Sequence, residues 1–114
     1  MSLRLCHPLI LLLPLFATGS LPTTTPTTAA SASADVVIDN FTFSPQMLVV
    51  APGTRVRWTN HDDVPHTVTS SDKRFTGSKA MDTDDSFVTT FATAGTYPYY
   101  CAVHPHMTGT VVVK

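Results

Sequence analysis

The chain is 114 residues long, which leaves room for one domain and not two. Seven Lys and Arg against eight acidic residues give a net charge of −1, so no basic surface is on offer to nucleic acid. All of the acids are aspartates, and a chain without Glu but rich in Val, Thr, Phe and Tyr leans toward β structure.

The first third stands apart. Residues 1–16 have the make-up of a secretory signal: Arg4 supplies the positive start, and Leu9 to Ala17 form an apolar run too short to span a bilayer comfortably. Small residues offer two cleavage points, after Gly19 (Ala17-x-Gly19) and after Ala34 (Ala32-x-Ala34). The second is preferred because patterned sequence begins at Asp35. The chain then divides into a signal and Thr/Pro/Ala-rich segment (1–34) and one domain (35–114). Cleavage after Gly19 would instead leave Ser20 to Ala34 as a tail with too few large apolar side chains to order itself. Such a tail is as readily a tether as the end of a long signal. On either reading the mature protein is periplasmic or secreted, with no membrane span.

From Asp35 onward the sequence is a series of short β-like runs between turn residues. Val36 to Phe43 comes first and closes at Ser44-Pro45. Met47 to Val50 follows, ended by Ala51-Pro52-Gly53. In Thr54 to Thr59, Val56 and Trp58 share one face and Arg55 and Arg57 the other, the pattern of a half-buried strand. Asn60 to Pro65 is a polar loop and His66 to Ser70 a brief strand. Residues 71–85, rich in charge and small side chains, read as a loop with room for one helical turn. Ser86 to Phe91 alternates again, Ala94-Gly95 turns the chain, and Thr96 to Cys101 places Tyr97, Tyr99 and Cys101 on one face. Gly109 to Lys114 is the last strand. Some seven short strands, with no convincing helix and no internal repeat, predict an antiparallel sandwich or barrel.

Removing the leader also removes Cys6, so Cys101 is the only cysteine of the mature protein. In an oxidising compartment it has no partner within the chain and must be buried, paired between chains or bound to a metal. Its neighbours favour the metal, since Cys101-x-x-His104-x-x-Met107 presents a thiolate, an imidazole and a thioether on one short loop. These soft and borderline donors suit copper better than magnesium, calcium or iron. His66 supplies a second imidazole from elsewhere in the chain. Two imidazoles and a thiolate in a plane, with a weak thioether, make a blue-copper electron-transfer centre. His106 is the alternative to His104, but that choice fits the loop spacing poorly, and His61 reads as a surface residue. Met47, Met81, Trp58, Tyr97 and Tyr99 read as core. Asp62, Asp63, Asp82, Asp84 and Asp85 read as solvated turns, or as charges that steer a basic partner.

Two stretches resemble a known family. Asn60-His61-Asp62-Asp63-Val64-Pro65-His66-Thr67-Val68 is similar to the first copper motif of the small cupredoxins. Ala94-Gly95-Thr96-Tyr97-x-Tyr99-Tyr100-Cys101-x-x-His104-Pro105-x-Met107-x-Gly109-x-Val111-x-Val113 is similar to the second, and its short ligand loop resembles that of amicyanins. The resemblance implies a Greek-key β-sandwich of about seven to eight short strands. It implies one type 1 copper held by His66, Cys101, His104 and Met107, with the Thr67 amide donating to the Cys101 sulfur and Asn60 pinning the two ligand loops together. It also implies an electron-exit patch around His104, built from Val64, Pro65, Val103 and Pro105, with Met47 and Met81 as further candidates for its rim. Two positions depart from the amicyanin pattern: Ala102 replaces a hydroxyl residue and His106 an aromatic one, which leaves the partner open.

The expected function is a monomeric carrier of single electrons between redox proteins, touching donor and acceptor briefly through a small patch near His104. It is not expected to be an enzyme, because four ligands leave no open position and no acid–base pair or nucleophile stands elsewhere. The alternative is a periplasmic copper buffer or chaperone, against which stands the absence of Met- or His-rich tracts. A metal-free adhesion-like sandwich is the remaining rival.

Overall fold

A computed structural model describes residues 8, 10–25 and 32–114. Arg4, Cys6, Leu9 and residues 26–31, part of the expected leader and tail, lie outside the described residues. Residues 10–25 are exposed and belong to no helix or strand. Among the described residues no helix is long and apolar enough to cross a membrane.

The rest is an all-β sandwich of eight strands: β1 (Ser33–Asp39), β2 (Thr42–Ser44), β3 (Met47–Val50), β4 (Thr54–Asn60), β5 (Thr69–Ser70), β6 (Ser86–Phe91), β7 (Gly95–Tyr100) and β8 (Thr108–Val113). One sheet has the order β2-β1-β4-β6 and the other β3-β8-β7-β5. The alternation read from the sequence sets the faces. In β4 the side chains of Thr54, Val56, Trp58 and Asn60 are buried while Arg55 and Arg57 point outward. In β7 and β8, Tyr97, Tyr99, Gly109, Val111 and Val113 face inward. Trp58 is central and fully buried, with the rings of Tyr99 at 5.5 Å, Phe87 at 5.7 Å, Phe91 at 6.3 Å and Phe75 at 6.5 Å. Burying each large apolar side chain of this core contributes about 1.5–3 kcal/mol. The hydroxyl of Tyr97 donates to the Thr93 carbonyl at 2.6 Å and anchors the entry to β7.

Four features differ from the sequence reading. The sandwich is not purely antiparallel: β1 runs parallel to β4, and β3 parallel to β8. Neither pair is joined by a hairpin, so nothing in the connections forces the strands to oppose. The expected single strand from Val36 to Phe43 is instead a hairpin that begins at Ser33 and turns at Asn40-Phe41, whose φ values are 49° and 57°. Such two-residue turns are usually announced by Asn-Gly; Phe in the second position costs roughly 1–2 kcal/mol and carries no turn signal. The brief strand at His66 shrinks to a single bridge between His66 and Met81, with a ladder only at Thr69–Ser70. Residues 71–85 contain no helical turn. Their bends are tied by Asp72, which receives Ser70 Oγ and the amide and Nε of Arg74, and by the paired backbone and side chain of Ser78 on Val68.

Candidate metal centre

The site lies at one end of the sandwich, where β7 and β8 run past their last paired residues. Tyr100 faces Thr108 in the ladder, so Cys101 and Met107 are the next opposed pair, and the Cys101 amide donates to the Met107 carbonyl at 3.0 Å. Between them the chain makes two tight turns. The His104 amide donates to the Cys101 carbonyl at 3.2 Å, and the Met107 amide to the His104 carbonyl at 2.9 Å. Pro105 occupies the first inner position of the second turn, where its fixed φ is suited. The period of two does the rest: Cys101 continues the inward face of Tyr97 and Tyr99, and Met107 that of Gly109 and Val111. Cys101 is fully buried and Met107 6% exposed. Gly109 is needed there because a Cβ would lie 2.3 Å from Tyr99 Cζ.

The second arm is the loop after β4. Asn60 organises it from within: its Nδ2 donates to the Val64 and Met81 carbonyls, both at 2.9 Å, and its Oδ1 accepts the Asp62 amide at 3.0 Å. His66 then sits in the bridge to Met81 with its side chain fully buried. Its Nε2 lies 2.7 Å from Asp62 Oδ2, and that carboxylate also accepts the amides of Asn40 at 2.7 Å and Phe41 at 3.0 Å. Burial pushes the Asp62 carboxyl up, but the bonds from Phe41, His66 and Asn40 outweigh it and hold it below the usual carboxylate range. An ionised carboxylate only accepts, so Nε2 carries a proton and Nδ1 is the ring nitrogen turned toward Cys101 and His104.

The two arms are joined through Thr67. Its amide donates to Cys101 Sγ at 3.4 Å and its hydroxyl accepts the Ala102 amide at 2.8 Å. The predicted Thr67 contact to sulfur is therefore present. The expected role of Asn60 is corrected: it ties its own loop and Met81, and Thr67 makes the link between the ligand loops. The reason is chain geometry, since Thr67 follows His66 directly and passes alongside Cys101.

Three donor atoms converge. His66 Nδ1 is 3.7 Å from Cys101 Sγ, His104 Nδ1 is 3.8 Å from it, and the two nitrogens are 3.2 Å apart. A point ~2.0 Å from each nitrogen, an ordinary metal–imidazole distance, falls ~2.2 Å from the sulfur in the plane of that triangle. The set therefore fits one cation. Thiolate, two imidazoles and a neighbouring thioether make the donor set of a type 1 copper site. His61 and His106 are exposed and outside the cluster, as expected. Met81 is core, whereas Met47 is 64% exposed.

Sequence reasoning missed two contributors. Asp62, read as a solvated turn or a steering charge, is only 9% exposed and grips His66; its spacing of four from the histidine was the available signal. Phe41, read as part of a strand, stands edge-on to the rings of both His66, at 5.3 Å, and His104, at 5.0 Å. The other acids of the two clusters, Asp63, Asp82, Asp84 and Asp85, are exposed.

Comparison with known proteins agrees with this geometry. The family model of the cupredoxin-like domain matches residues 9–113. The amicyanin of Paracoccus versutus is 33% identical over 97 residues, covering 78% of this chain and 73% of that protein. The amicyanin of Paracoccus denitrificans is 32% identical over 127 residues, covering 99% of this chain and 96% of that protein. Among solved structures, a purple cupredoxin from Nitrosopumilus maritimus superposes with a TM-score of 0.67 at 34% identity, over 71% of this chain and 99% of that one. A reduced amicyanin variant superposes with a TM-score of 0.69 at 30% identity, over 76% and 87%.

Proposed function

The chain belongs to the cupredoxin family, and on that premise we propose that it is an exported type 1 copper protein that carries single electrons between redox partners. His66, Cys101, His104 and Met107 are the ligands in this reading, and residues 35–114 form the working domain. The observation that carries it is the convergence of a buried thiol and two imidazole nitrogens within 3.8 Å of one another. When bound, copper supplies the one-electron chemistry by cycling between Cu(I) and Cu(II).

The chain's own residues prepare that chemistry. Asp62 fixes the His66 tautomer and ring angle, and the Thr67 amide withdraws charge from the Cys101 sulfur, a means of setting the potential. The turns of residues 101–107 are hydrogen-bonded at both ends, so the donors are held and need little movement when the charge changes. The core beneath keeps water away from Cys101. His104 is half-buried, and beside it Val103, at 53% exposure, and Pro105 offer a small apolar contact. A monomer docking briefly through that patch suits a carrier. With no ligand position left open, the domain passes electrons and catalyses no reaction of its own. Export to the periplasm or beyond accords with a thiol reserved for metal.

Voltammetry and electron self-exchange of the copper-loaded chain test the proposal. A reversible one-electron wave with rapid exchange and retained copper is expected. Slow exchange with ready loss of copper to a chelator would contradict it and indicate a copper buffer.

A further inference from the structure

Phe41 holds a backbone conformation that aromatic residues avoid, with φ of 57° after Asn40 at 49°. Glycine would close this hairpin without strain. Nor is the ring placed there by burial, since Phe41 is 49% exposed. What the conformation achieves is a position over the donors. The ring is edge-on to His66 with planes at 88° and to His104 with planes at 90°. The frame is shared as well, because the Asp62 carboxylate that receives His66 Nε2 also accepts the Phe41 and Asn40 amides.

The two imidazoles differ in how they are held. His66 has the Asp62 carboxylate behind it, whereas among the described residues no hydrogen bond reaches His104 Nε2. Perpendicular ring contacts hold orientation beyond the area they bury. A cleft of about 160 Å3, lined by Phe41 with Phe43, Gln46, His106 and Met107, opens beside the ring.

We propose that Phe41 is a positioning residue of the metal centre: its ring clamps the His104 imidazole against His66 and closes the approach of water and small anions to the donor triangle. The inference rests on the ligand set proposed above. The strain at residue 41 is then the cost of placing an aromatic ring where a turn would take glycine.

The test compares the full chain with Phe41→Gly and Phe41→Tyr. In the metal-free chains, carbethoxylation of His104 is followed by peptide mapping alongside thermal unfolding. In the copper-loaded chains, copper loss to a chelator and the effect of azide on the visible band are measured. Phe41→Gly should unfold at the same or a higher temperature, yet release copper about 10- to 100-fold faster, as loss of an outer-shell partner does. Its His104 should react severalfold faster, and azide should perturb its band alone. Phe41→Tyr, which keeps the ring, should match the parent throughout. Parent-like rates in Phe41→Gly would overturn the proposal, and so would a lowered unfolding temperature in that variant, which would make the ring a structural element of the hairpin. If no chain took up copper, the ligand set would fail, and the His104 reaction alone would still decide the role of Phe41.

Discussion

The Asp62 carboxylate accepts three hydrogen bonds, from His66 Nε2 and from the amides of Asn40 and Phe41, at a position only 9% exposed. Replacing it by Asn leaves one acceptor oxygen and strands at least one partly buried donor. Asp62→Asn should destabilise the metal-free chain by about 1–3 kcal/mol in urea unfolding, whereas a solvated turn residue would change it by less than about 0.5 kcal/mol. Tyr99 poses the opposite case. Burial pushes its phenol from 10.0 up to about 12, and neither Tyr99 Oη nor Trp58 Nε1 finds a hydrogen-bond partner. A raised folded value means the folded chain holds the proton longer than the unfolded one. The contribution of Tyr99 is therefore complete below pH 10 and lost as the pH rises from 10 toward 12. Alkaline unfolding should show that slope. Tyr99→Phe should flatten it at little cost near neutrality, because the hydroxyl it removes bonds to nothing.

At the scale of the element, the β7–β8 hairpin decides where three of the proposed ligands stand. Its register opposes Tyr99 to Gly109 and Tyr100 to Thr108, which brings Cys101 and Met107 face to face at the open end. A methyl group at residue 109 would strike the Tyr99 ring at 2.3 Å, and the ring has no room to retreat, since it packs on Trp58 at 5.5 Å and Phe43 at 4.7 Å. Gly109→Ala should therefore cost about 1–3 kcal/mol, as overpacking does, and broaden the visible band of the copper form; a thermal melt and an absorption spectrum check both. This hairpin was legible in the sequence because alternation and turn residues agree along it, from Tyr97 to Cys101 and from Gly109 to Val113. The β1–β2 hairpin was not legible, because Asn40-Phe41 lacks the glycine that marks such a turn and its conformation is held by a carboxylate 21 residues further on.

For the whole molecule, two sheets carry the two arms of the site. β4 leads into the His66 loop, β7 and β8 bracket the cysteine loop, and Thr67 fastens one to the other. The sandwich could be read from the alternating runs and their turns, and the types and spacing of His66, Cys101 and His104 pointed to the three side chains that the fold brings together. The parallel pairings of β1 with β4 and of β3 with β8 could not, because strand partners distant in sequence leave no local mark. The burial of Asp62 escaped for a similar reason: its amide partners lie in another strand connection, and Asp62-Asp63 looks like any polar turn. The central claim is that one buried sulfur, with two imidazoles, holds a single copper. Titrating the metal-free chain and its Cys101→Ser variant with Cu(II) tests it most directly. The parent should develop an intense visible thiolate-to-copper band that saturates at one equivalent, and the serine variant should show none; a variant that kept the band, or a parent that never developed it, would contradict the account.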